Sequence, residues 1–221
     1  MVINRKAPRK RRAVTEALKD ARRDAILAAA EALFCNQAFE SIAMSDIAAA
    51  AGLAKGTLYL YFRTREEIFL ALLLREFSAW LADFAKAAAR FASPEAALDW
   101  IAASLAARRE LLRLAALLHL VLERNLPVET ARAFKLEVEA GLTALAPRVA
   151  EALRIGDEAE ARRFLRWLQA SLVGLYQLAS PAPAVRAAMA EEPRLAGLAI
   201  DFESELRAML GALLKGTRER P

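Results

Sequence analysis

A chain of 221 residues can bury a core without disulfides or structural metals, and its 8 Gly and 8 Pro, spread among abundant Ala, Leu, Arg and Glu, favour helix nearly everywhere. The net charge of +5 is unevenly placed: residues 1–65 carry twelve Lys/Arg against six Asp/Glu, and residues 66–221 carry twenty against twenty-one. One Cys and one His exclude an internal disulfide and a zinc cluster and leave little for acid–base catalysis, so the expectation is an all-α protein, no enzyme, with no metal or cofactor and with a polyanionic partner at its N-terminal end.

Residues 1–14 hold Arg5, Lys6, Arg9, Lys10, Arg11 and Arg12 without an acid, which predicts a disordered basic arm able to touch phosphates. No apolar segment of signal type follows, and the greasiest stretch, Leu111 to Leu122, is short and interrupted by Arg113 and His119, so a cytoplasmic protein without membrane contact is expected. Ile26, Ala29, Ala30, Leu33 and Phe34 share one face of a helix over about 15–36. A short helix over 44–51 follows, with Ile47, Ala48 and Ala51 inside and Gly52 as the left-handed stop; a second spans Lys55 to Phe62. Two short helices across a Gly-containing turn form the DNA-reading helix-turn-helix pattern, which sets a DNA-binding domain at 15–66.

Thr64 with Glu67 three residues on is a capping box opening a long helix to about Ala92, and a second domain is expected over 67–221. Ser93-Pro94-Glu95 opens a helix over 94–107, and others are expected over 110–124 and 128–153, the last stopping at Gly156. Asp157 with Glu160 opens an eighth helix ending near Ser180, any helix between 184 and 190 is short, and a final helix covers 194–214, giving about nine in all.

The string Asp46-Ile47-Ala48-Ala49-Ala50-Ala51-Gly52-Leu53-Ala54-Lys55-Gly56-Thr57-Leu58-Tyr59-Leu60-Tyr61-Phe62, followed by a basic residue and Glu66-Glu67, resembles the DNA-binding domain of the tetracycline-repressor (TetR) family. The resemblance covers Ala25 to Leu72, and beyond it the chain is similar only in helix count and order. Packing of Ile47, Ala48, Leu53 and Leu58 leaves Lys55, Gly56, Thr57, Tyr59 and Tyr61 on the groove side of the second helix, with Ser45 on the first helix counted among the DNA contacts. Lys55 can donate to guanine or phosphate, and Thr57 can touch a thymine methyl. The resemblance implies a phosphate contact from the Tyr59 hydroxyl, with Tyr61 and Arg65 as further clamps.

Tyr59 keeps a second reading as a core aromatic; Met44 reads as filler between helices or as reaching the groove, and Arg22-Arg23 as a solvated face or as a contact beside DNA. Cys35 reads as buried packing, with a redox switch as the alternative. The hydroxyl that commonly caps the first motif helix is missing at 42 or 43, leaving Ser41 or Ser45 as an imperfect substitute.

The resemblance further implies a small-molecule effector in the body helices and a homodimer on a near-palindromic operator in double-stranded DNA, with repression as the expected outcome. Trp80, Trp100, His119 and Phe134 are the candidate effector contacts and favour a hydrophobic or aromatic ligand; His119 reads first as a core or edge residue and second as an effector contact. Arg113 and Arg124 read either as partners of an acidic ligand or as solvent-facing. Leu168, Leu172 and Leu175 on the eighth helix, with Phe202, Leu206 and Met209 on the last, form the candidate dimer interface, unless each stripe packs inside its own subunit. An architectural DNA-binding protein without an effector is the alternative, and the net charge of −1 over residues 66–221 speaks against it.

Overall fold

Apolar residues at three- and four-residue spacing in an Ala-rich chain fold as helices throughout. The computed structural model describes the backbone of residues 8–124 and 126–218 and contains ten α-helices and no strand among them. They are α1 (Pro8–Asn36), α2 (Met44–Ala50), α3 (Lys55–Leu58), α4 (Arg65–Ala88), α5 (Pro94–Ala106), α6 (Arg109–Leu117), α7 (Val128–Leu153), α8 (Glu158–Ala179), α9 (Pro183–Glu191) and α10 (Phe202–Arg218). A π-helical turn, Leu118–Leu122, continues α6. The chain divides into two compact units, residues 1–72 and 73–221, and α4 begins in the first and continues into the second.

Local signals set most helix starts. The Glu67 amide donates to Thr64 Oγ1 at 3.3 Å, and the Glu67 carboxylate accepts from the Arg63 amide at 2.7 Å, so the expected capping box forms one residue out of register on its return bond. Ser93 Oγ accepts from the Ala96 amide at α5, and Asp157 Oδ1 from the Glu160 amide at α8. Gly52 adopts φ +67°, the left-handed residue that ends α2. The missing hydroxyl at α2 is replaced from inside the helix: Asp46 Oδ2 accepts from the Ala43 amide at 2.8 Å, while Ser41 Oγ donates to the Ala38 carbonyl and Ser45 Oγ reaches Asp46, so neither serine caps.

Several helix ends differ from expectation. Helix α1 begins at Pro8, not near 15, because Pro is well placed at a helix start and Arg, Lys and Ala propagate a helix without apolar periodicity. Residues 8–14 of the expected basic arm are therefore helical, and residues 1–7 lie outside the described residues. Helix α3 stops after Leu58 and is followed by a turn that carries Phe62 into the core at 4% exposure. Helix α7 keeps the expected bounds, Val128–Leu153, but its left-handed stop is Arg154 (φ 52°, ψ 44°) and not Gly156, and it carries Pro147 inside. The final helix starts at Phe202, where the Ser204 amide donates to Asp201 Oδ1 at 2.8 Å; Leu195 and Leu198 belong instead to a separate 3-10 turn, Pro193–Leu198. The helix beyond the expected count of about nine is α9, which buries none of its residues.

The first unit closes on a small core of Ile26, Phe34, Phe39, Ile47, Leu58, Ile68 and Phe69, with Phe69 edge-on to both Phe34 (5.2 Å) and Phe39 (4.9 Å). In the second unit α8 packs against α6, α7 and α10, and α10 also packs against α5. Cys35 is exposed, against the expectation of buried packing: the inward stripe of α1 runs through Ile26, Ala30 and Phe34, and position 35 lies on the next face round.

Candidate functional site

Burial of Ile47, Ala48, Leu58 and Phe62 turns the other faces of α2 and α3 outward. Ser45, Lys55 and Gly56 are exposed, and Thr57 and Tyr61 are half-buried. Tyr59 is 46% exposed, which removes the alternative that it is a core aromatic, and Leu60 beside it is 79% exposed. Six of the seven residues expected to contact DNA are therefore accessible in the first unit, five of them within Lys55–Tyr61.

Arg65 is placed differently. Its Nη1 donates to the carbonyl oxygens of Phe39 (2.9 Å) and Ile42 (2.8 Å) and more weakly to that of Glu40 (3.4 Å). The guanidinium carbon lies 4.0 Å from the centroid of the Phe39 ring, and Nη2 is 3.5 Å from the Glu66 carboxylate. The expected phosphate clamp thus has its guanidinium engaged inside the unit, fastening the connection between α1 and α2 to the start of α4. Spacing gave no sign of this, because the acceptors lie more than twenty residues away in sequence.

The second unit encloses a cavity of about 800 Å³, counting the space at its open side. Its walls come from Leu73, Phe77 and Trp80 of α4, Leu111 of α6, Leu118 of the π-helical turn, Phe134, Val138, Leu142 and Leu145 of α7, and Leu165, Leu168 and Leu172 of α8. Gln169 is the single polar residue of the lining. Trp80 turns its polar edge away, donating from Nε1 to Ser104 Oγ at 3.0 Å, so a hydrocarbon face is what it offers the cavity. Such a surface rewards burial of an apolar ligand and gives a polar one almost nothing to bond.

Of the four candidate effector contacts, Trp80 and Phe134 line this cavity and two do not. Trp100 packs into an aromatic cluster with Phe84 (5.7 Å), Phe91 (5.9 Å) and Trp80 (6.4 Å). His119 is exposed at the edge of the π-helical turn, with Nδ1 3.0 Å from Glu123 Oε2; a π-helical turn rotates successive residues by less than an α-helix, and Leu118 faces in. Burial raises the Glu123 pKa, but the hydrogen bonds from Lys135 and His119 outweigh it and hold the carboxyl below its ordinary value. Arg124 is exposed, and neither it nor Arg113 lines the cavity.

The candidate dimer residues need a larger correction. Leu168, Leu172, Leu175 and Leu206 are at most 8% exposed within a single chain, and two of them line the cavity; Phe202 is half-buried edge-on to Tyr176, and Met209 is 39% exposed. Two helices with matching stripes bury them against each other first, and periodicity cannot tell that pairing from one between subunits. Phe77, Leu118 and Gln169 were missed altogether, and no local signal marks them. Among the described residues no group of three His, Cys, Asp or Glu could hold a metal, and no helix is long and apolar enough to cross a membrane.

Residues 26–72 match the family described as bacterial regulatory proteins, tetR family, and residues 74–221 match the tetracyclin repressor-like C-terminal domain. The HTH-type transcriptional regulator YfiR of Bacillus subtilis is 41% identical over 56 residues, 25% of this chain; the match spans only 27% of that relative's length. Among solved structures, FadR of Thermus thermophilus in complex with lauroyl-CoA has a TM-score of 0.58 at 21% identity, covering 90% of this chain and 96% of its own. FadR of Bacillus subtilis in complex with stearoyl-CoA has a TM-score of 0.57 at 18% identity, covering 87% and 97%. AlkX of Dietzia sp., a repressor implicated in n-alkane biodegradation, has a TM-score of 0.55 at 18% identity, covering 89% and 95%. At these identities the likeness is one of fold.

Proposed function

The chain belongs to the TetR family of transcriptional regulators, which are DNA-binding, ligand-binding proteins and not enzymes, and from that premise we propose a repressor that leaves its operator when a long apolar chain enters the second unit. The observation that carries this reading is the cavity: sixteen lining residues, one of them polar, favour a hydrocarbon chain over a compact polar effector. The fold neighbours solved with lauroyl-CoA and stearoyl-CoA support a fatty acyl compound as the first class to try. Coupling has a material route in α4, whose first turn carries Arg65 and whose later turns supply Leu73, Phe77 and Trp80 to the cavity.

We assign DNA contact to Lys55, Gly56, Thr57, Tyr59 and Tyr61, with Ser45 at the margin, because these are the accessible polar and glycine positions of α2, α3 and the turn after it. Arg65 serves that surface from behind. A homodimer on a near-palindromic site is part of the proposal, since one four-residue helix reads few base pairs. With the inner stripes used inside the subunit, the outer faces of α8 (Ala170, Gly174, Leu178) and α10 (Met209, Ala212) are the surfaces offered to the second copy.

Selecting bound sites from random duplexes, then measuring affinity by fluorescence anisotropy with and without lauroyl-CoA or stearoyl-CoA, tests the reading. A near-palindromic site whose affinity falls when either compound is added is the expected result. Binding without sequence preference, unaltered by both compounds, would return the chain to the architectural class.

A further inference from the structure

Glycine is poorly suited to the middle of a helix, because it has the most backbone freedom to lose. Gly141 nevertheless sits at the centre of the 26-residue α7. Of the chain's eight glycines it is the one where an added Cβ would meet neighbours: Leu81 Cδ1 at 3.0 Å and Phe77 Cε1 at 3.1 Å, with open space around the other seven. Helix α7 therefore lacks a side chain at the point where the ring of an α4 phenylalanine rests against it. That ring is also a wall of the cavity, flanked there by Val138 and Leu142, which lie on either side of Gly141 in the sequence.

We propose that Gly141 is the specificity-determining position of the cavity: its missing side chain is the recess that holds Phe77 back, and so sets how long a hydrocarbon chain the cavity admits. This rests on the reading of the cavity as a site for an apolar chain. With Leu81 filling the other side of the contact, a methyl group at 141 leaves Phe77 to yield toward unfilled volume, and the cavity it lines provides that volume. The ring then occupies space that the far carbons of a long ligand need, while a shorter ligand still fits. Replacing Phe77 with a smaller residue acts in the opposite sense and removes the means by which position 141 is felt.

The test titrates the full-length protein with straight-chain acyl-CoA thioesters from hexanoyl-CoA to stearoyl-CoA by calorimetry. Gly141→Ala should lose about tenfold or more in affinity for the longest chain the wild type accepts while keeping its affinity for the shortest, the scale on which a hydrophobic pocket discriminates small volume changes. Phe77→Leu should shift the preference toward longer chains, and the double variant should follow the Phe77→Leu profile, since the ring through which position 141 acts is gone. A Gly141→Ala profile equal to wild type, or a double variant that keeps the full Gly141→Ala loss, overturns the assignment. If Gly141→Ala does not fold, Phe77→Leu alone decides, and an unmoved profile overturns it. A wild type that binds none of the series removes the apolar-chain reading and the gate together, whereas a wild type with graded binding and an unmoved Gly141→Ala removes the gate alone.

Discussion

The two units are organised around opposite kinds of surface. The first has a small core and keeps Ser45, Lys55, Gly56 and Tyr59 outside it, held in place from below by the Arg65 hydrogen bonds and by Phe69 between two other rings. The second turns its candidate site inward, so that Phe77, Leu168 and Leu172 are at once cavity wall and packing. A side chain in the first unit can therefore change function with stability untouched, while in the second nearly every functional substitution is also a substitution in the core.

The sharpest way to break that contrast is to put a charge where the second unit is closed. Leu206 is fully buried, and Leu206→Glu should cost on the order of 4 kcal/mol, since the carboxylate has no buried partner. Calorimetry should show the main transition lowered or lost; a wild-type melting temperature would mean that α10 does not pack as described. Next in size is Arg65→Ala, which strips the Phe39 and Ile42 carbonyls of their charged donor. A loss of about 1–3 kcal/mol is expected in denaturant unfolding, with weaker operator binding. Arg65→Lys should recover little of it, because a single ammonium cannot both stack on Phe39 and bond both carbonyls. Weakened DNA binding at unchanged stability would restore Arg65 to the phosphate-contacting set.

Tyr59→Phe isolates the functional side of the comparison. Removing the exposed hydroxyl should lower operator affinity about fivefold, the worth of one hydrogen bond, equally on selected and mismatched duplexes and with no change in melting temperature. A change in sequence preference would make Tyr59 a base-reading residue. The smallest effect is expected at Glu123, whose carboxyl is held below its ordinary pKa against the opposing pull of burial. A depressed folded pKa stabilises the fold above the unfolded value and loses that contribution as pH falls through the folded one. Glu123→Gln should thus cost about 0.5 kcal/mol at neutral pH, a partly exposed pair being worth little, and nothing once the pH is well below the ordinary carboxylate range. A pH-independent difference would show that the ion pair with Lys135 and the hydrogen bond with His119 contribute no net stability.

The same contrast explains what could be read from residues alone. In the first unit the signals are local: Gly52 after α2, Thr64 with Glu67, and a run from Asp46 to Phe62 whose spacing separates inward from outward positions. Helix starts in the second unit were equally legible at Ser93 and Asp157, where the side chain and its acceptor role lie within three residues. Asp201 carried the same signal for α10 and was outweighed by Leu195 and Leu198, which continue an apolar spacing that the chain does not use as one helix. What no local signal supplied is the destination of each apolar stripe. Leu168 and Leu172 look alike whether they face a cavity, a neighbouring helix or a second subunit, and only the packing of α8 against three other helices decides. Arg65 shows the polar version of that limit, its partners being fixed by the fold and not by its neighbours in sequence.

Helix α7 carries one more consequence. Pro147 has no amide to donate to the Thr143 carbonyl, and the glycine that seats Phe77 lies six residues earlier, so two softened links fall within two turns. The stretch from Gly141 to Pro147 supplies Leu142 and Leu145 to the cavity and separates a part of α7 that bears Phe134 and Val138 on the cavity from a part that bears the fully buried Val149 and Leu153. The missing rung of the hydrogen-bond ladder in α7 therefore falls beside the cavity wall and not in the part of the helix that Val149 and Leu153 bury.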